Sequence, residues 1–125
     1  MNINLFLGLL CLLILYIHSG YQKTIDTTKT AKYLQRKMPM LPINICMFGI
    51  IMVIILEVFG SLFLLYSAYT DKYKKEAYYT VIAFILFNIV VTFIFHNPFE
   101  KNELLGFMKN LSITGGFILL LDRFN

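Results

Sequence analysis

The chain has 125 residues, 58% of them hydrophobic and only 14% charged, with a net charge of +4. Soluble domains carry about 25% charged residues, so this composition, with a mean hydropathy of +0.72, excludes an ordinary soluble fold and leaves no length for a separate soluble domain. The basic residues lie in connectors beside apolar runs, which suits lipid headgroups and gives no support to nucleic-acid binding.

The first apolar run covers 4–19. Its stretch from Leu5 to Ile17 has the length of a signal-peptide core. Met1 to Asn4 carries no Lys or Arg, however, and His18-Ser19-Gly20 is a poor cleavage site, so the run reads as a span. The connector from Gly20 to Pro42 follows. Asp26, Thr27 or Thr28 can cap a helix there, and Lys29, Lys32 and Arg36 recur at i, i+3 and i+7 with Ile25, Tyr33 and Leu34 on the other side. Two readings stand: a short amphipathic helix lying in the interface, or a solvated basic loop.

The second run, 43–68, holds one ionisable residue, Glu57. At about 1.5 Å of rise per residue it lies roughly 20 Å beyond Pro42, near mid-membrane. A charge at that depth costs at least about 2.5–3.5 kcal/mol unless it is paired or neutralised. A polar hairpin from Tyr69 to Tyr78 comes next, ringed by interface-seeking tyrosines. The third run, 78–95, ends at His96, where Pro98 should break the helix, and the fourth covers 104–121. Asn110-Leu111-Ser112 matches a glycosylation sequon but lies inside that last run. Cys11 and Cys46 form no C-x-x-C and no zinc spacing, so both read as apolar filler and no metal site is expected.

Each run is close to the roughly 17–25 residues that cross a bilayer. The expected protein is therefore all-α and integral to the membrane: one domain over 1–125, a four-helix transmembrane bundle with a short interfacial helix between the first two spans. Four spans put both termini on one side. Counting bases favours the side of the first and third connectors as cytoplasmic.

Polar residues recur at helical spacing inside the runs. Glu57, Gly60 and Ser61 share a face of the second, Asn88, Thr92 and His96 of the third, and Lys109, Ser112 and Gly116 of the fourth, with Asn110 and Thr114 beside them. Gly8, Cys11 and Ser19 give the first a weaker version, and Lys23 closes it. Without water such groups look for partners across helices. Small and hydroxyl side chains of this kind can simply hold a bundle together. A carboxylate, an imidazole and an ammonium at Glu57, His96 and Lys109 exceed that need and mark a candidate polar pocket, with Lys23, Asn88, Gly60 and Asn110 as further candidates.

These residues also carry a resemblance. Gly20-Tyr21-Gln22-Lys23 resembles the G-x-x-K that follows the first helix of DoxX-like membrane proteins, and Glu57-Val58-Phe59-Gly60 their E-x-x-G. Phe95-His96-Asn97-Pro98-Phe99 is similar to their F-H-x-F region with one extra residue, and Lys109-Asn110, followed by Gly115-Gly116, to their K-N-x-x-x-x-G-G. The resemblance implies a four-helix membrane protein; some relatives are described as the membrane subunit of a thiosulfate:quinone oxidoreductase or as partners in membrane oxidoreductase complexes. This chain departs from any autonomous thiol chemistry in lacking paired cysteines.

The expected function is an accessory subunit in membrane redox or quinone-linked metabolism. An apolar pocket suits a quinone, whose carbonyls would accept from Lys109 or His96. The alternative is a membrane chaperone or assembly factor whose stripes bind other transmembrane segments. Its partners would be the bilayer and another membrane protein.

Overall fold

The computed structural model describes residues 2–96, 99 and 102–124. Four helices in it are long and apolar enough to cross a membrane: Ile3–Ile25, Ile43–Thr70, Lys74–Phe95 and Leu104–Phe124, here the first to fourth spans. A fifth, the connecting helix Thr27–Lys37, joins the first two. All four spans run past the apolar stretches that announce them. Polar residues with good helix propensity, such as Lys74, Lys75 and Glu76, continue the hydrogen-bonded ladder beyond the apolar segment.

Each terminus has a local cause. The Asn2 side chain caps the first span by accepting from the Leu5 amide at 3.2 Å. Pro42, which offers no N–H of its own, precedes the second span, and its carbonyl accepts from Ile45 and Cys46. The hairpin between the second and third spans is only three residues long. Asp71 and Tyr73 both turn through the left-handed region, at φ 58° and 61°, and the Ser67 hydroxyl closes the turn by donating to the Lys72 carbonyl. The third span ends at Phe95, with the His96 amide bonded to the Thr92 carbonyl. The helix break read at Pro98 lies outside the described residues.

The second span is not uniform. Its turns from Ile55 to Gly60 are π-helical, with α-helix on either side. The wider turn shifts the faces that its side chains present, and such segments are frequent at functional sites. Glu57 lies inside it.

The core is aromatic at its centre. Phe84 of the third span stacks on Phe117 of the fourth, ring centroids 5.1 Å apart, and Tyr16 of the first span meets Phe84 edge-on at 5.2 Å. Leu9, Leu13, Leu64 and Val81 fill in around them. A second, smaller cluster joins Ala31 of the connecting helix to Cys46 and Ile50 of the second span, which fixes the connecting helix on the bundle. Large apolar side chains such as Phe48, Phe59, Leu86, Phe93 and Leu119 stay exposed on the outside, as expected of helices whose outer faces meet lipid.

An intramembrane ion pair beside an apolar cavity

Glu57 is buried to 2% exposure and points inward. Its Oε1 accepts from the Lys23 Nζ at 2.7 Å, and the same ammonium donates to Ser19 Oγ at 2.5 Å. The expected partners lay on the third or fourth span; the structure corrects this, for the partner stands on the first. The cause is Gly20. A methyl there would lie 2.5 Å from Val58 Cγ2 and 3.2 Å from Glu57 Cβ, so only glycine lets the first span come this close to the π-helical turn. Lys23, three residues on, then shares that face and reaches Glu57. Gly20→Ala should accordingly cost about 1–3 kcal/mol, measured as unfolding in mixed micelles, and Val58→Ala in the same chain should restore part of it. Unchanged stability in Gly20→Ala would mean that the two helices do not approach here.

The other candidates fall into separate places. Asn88 is buried, accepts from the Tyr16 hydroxyl at 2.6 Å through Oδ1, and accepts from Thr92 Oγ1 at 2.6 Å through its carbonyl. Its Nδ2 and Ser61 Oγ, four residues beyond Glu57, are buried without a hydrogen bond among the described residues. Buried polar groups of this kind take ordered water when there is room. Gly60 admits the Phe84 ring, which a methyl would approach to 3.3 Å. His96 Nδ1 meets Glu103 Oε2 at 2.9 Å, with its ring seated on Gly106, where a methyl would lie 2.5 Å from Nδ1. Lys109 is exposed on the outer face of the fourth span with Ser112 and Gly115, and Asn110 is half-buried. The structure therefore brings Glu57 and Lys23 together, leaves His96 in a pair of its own, and sends Lys109 elsewhere.

One residue escaped the sequence reading. Tyr16 lies within a turn of the end of the 4–19 run, where a tyrosine reads as an interface residue, and that position hides the internal partner its hydroxyl has in Asn88.

Lys23 of the pair reaches a cavity of ≈480 Å³ between the connecting helix and the second and third spans. Leu34, Ile50, Val53, Val91 and Ile94 give it apolar walls, and Lys23 and His96 stand on its lining. Tyr33 stacks on Phe95 across it, centroids 5.3 Å apart and planes 9° from parallel. A volume in this range, apolar with a few polar groups, is the usual form of a small-molecule site. No group of three or more His, Cys, Asp or Glu side chains among the described residues could hold a metal, and both cysteines are free.

Comparison with known proteins adds a family. The family model described as DoxX matches residues 5–97. That range takes in Lys23, Glu57, Asn88 and His96 and ends before Lys109. The inner membrane protein YqjF of Escherichia coli (strain K12) is 32% identical over 108 residues, which cover 86% of this chain and 73% of YqjF. No solved structure matches.

Proposed function

The chain belongs to the DoxX family and is a multi-pass integral membrane protein, and from that premise we propose that it is an accessory subunit in membrane redox or quinone-linked metabolism. One observation carries the reading: an ion pair between part-buried Lys23 and buried Glu57, joining two membrane-spanning helices, stands at the edge of an apolar cavity of ≈480 Å³. Ionisable groups within such helices are costly and are typically tied to ligand or proton paths. A quinone is a fitting occupant. Its ring is flat and apolar, matching the Val53, Val91 and Tyr33 walls, while its carbonyls accept hydrogen bonds from an ammonium or an imidazole. Lys23 and His96 are the donors on the lining, which moves the expected contact from Lys109 to Lys23.

The test is photolabelling of the purified chain with a benzoquinone that bears a short alkyl tail and an azide. Label should enter peptides around Val53 and Val91 and be displaced by unlabelled quinone. A hydrogen bond to a charged group contributes about 1.5–3 kcal/mol, so Lys23→Gln should weaken competition roughly tenfold or more. Labelling that quinone does not displace would overturn the reading.

A second reading, a membrane chaperone or assembly factor, draws on a different observation. Lys109, Ser112 and Gly115 lie exposed along the outer face of the fourth span, and small or polar residues in lipid-facing positions favour contact with another transmembrane helix. The variant that separates the two is Lys109→Leu, which should leave quinone competition unchanged and weaken assembly of a partner.

A further inference from the structure

The elbow between the first span and the connecting helix holds a second hollow, of ≈400 Å³, that shares only Lys23, Thr30 and Tyr33 with the apolar cavity. Its character is different. Lys29 and Arg36 line it together with Lys23, Gln22 and Asp26. An adjoining hollow of ≈490 Å³ repeats Asp26, Lys29 and Arg36 and adds Lys32. The Lys23 charge is already matched by Glu57. That leaves Lys29, Lys32 and Arg36 facing the single carboxylate of Asp26, so the elbow is net positive.

Its geometry is fixed from both sides. Ala31 is buried against the second span, which turns Lys29, Lys32 and Arg36, at i, i+3 and i+7, outward on one face. The Arg36 guanidinium lies 5.9 Å from the Tyr33 ring centroid, a cation–π distance that orients it. The rim is apolar on one side: Ile25, at the end of the first span, lines the adjoining hollow and is 59% exposed. A soluble anion has no use for such a rim.

We infer that this elbow binds the phosphate headgroup of an acidic phospholipid, with the phosphate between Lys29 and Arg36 and the acyl chains leaving over Ile25. Arginine and phosphate pair through parallel hydrogen bonds, and bases beside a bilayer attract acidic lipid. The site adjoins the quinone cavity along Lys23, Thr30 and Tyr33, and its lipid contacts at Lys29 and Arg36 lie outside that cavity's lining.

The experiment titrates the purified full chain with phosphatidylglycerol or with phosphatidylcholine of the same acyl chains, followed by native mass spectrometry, with a parallel arm in inorganic phosphate. The wild type should hold one phosphatidylglycerol in preference to phosphatidylcholine. Each base is worth about fivefold at a lipid surface, so Lys29→Gln/Arg36→Gln should lower that preference by about thirtyfold. Lys72→Gln/Lys75→Gln, in the turn between the second and third spans and the helix start that follows it, should leave it unchanged. Both altered residues of the elbow are exposed, and an unchanged helical circular-dichroism spectrum separates lost binding from lost folding. Equal binding of the two lipids by the wild type, an undiminished preference in the elbow variant, or displacement of the lipid by equimolar inorganic phosphate would each overturn the inference. Quinone labelling measured on the same samples gives a separate readout of the adjoining apolar cavity.

Discussion

Replacing Lys23 with Met should lower stability in mixed micelles by about 3–5 kcal/mol, the cost of leaving a buried charge without its partner. Glu57 is buried to 2% and receives its hydrogen bond from Lys23 at 2.7 Å, so its carboxylate then loses that donor. Glu57→Gln should cost less. The Lys23 side chain keeps 22% exposure, donates to Ser19, and can extend into the polar hollow at the elbow. The double variant Lys23→Met/Glu57→Leu should recover most of the loss, because a buried pair exchanged for apolar groups of similar size is commonly neutral. Reversible unfolding of Lys23→Met, Glu57→Leu and the double variant gives the coupling energy. Losses that simply add in the double variant would mean that the two groups do not meet.

Phe84→Ala should cost a similar amount, about 3–5 kcal/mol. Phe84 has 0% exposure, stacks on Phe117 at 5.1 Å, and receives the edge of Tyr16 at 5.2 Å. In a membrane protein the gain from leaving water is small between helices, and packing carries the association, so the cavity itself accounts for the loss. Phe84→Leu should return a large part of it. Tyr16→Phe tests the neighbouring polar contact, since it leaves Asn88 Oδ1 without the donor at 2.6 Å. A loss below about 1 kcal/mol in Phe84→Ala would place the centre of the bundle elsewhere.

Much of this architecture was legible in the sequence because hydropathy and length are linear properties. The four apolar runs became four helices in the same order, and the i, i+3, i+7 pattern at Lys29, Lys32 and Arg36 became a helix over Thr27–Lys37. Helix ends were legible only to within a turn or more. Lys23 shows why that matters: the apolar run stops at Ser19, yet the helix continues to Ile25, so a residue read as closing the span is on its last turns and faces inward.

The site was half legible. A lone carboxylate in an apolar run identifies itself by its desolvation cost, and Glu57 is inward-facing as that cost demands. Its partner was not legible, because rotation of each helix about its axis follows from packing rather than from hydropathy. Lys109 illustrates the point. The fourth span turns Thr114 and Phe117 inward, and that rotation carries Lys109 and Ser112 to the outside. The π-helical turn at Ile55–Gly60 adds a shift of facing that an even 3.6-residue period does not contain.

The central claim is that Glu57 and Lys23 meet between the first and second spans, and dipolar recoupling in solid-state NMR reads it most directly. With ¹³C in the side-chain carboxyl of Glu57 and ¹⁵N in the lysine ammonium groups, the chain in lipid bilayers should show strong dephasing of the Glu57 signal, as direct contact at 2.7 Å between Nζ and Oε1 requires. Lys23→Met should abolish that dephasing and Lys109→Met should leave it intact. Dephasing that survives Lys23→Met, or its absence in the wild type, would contradict the account.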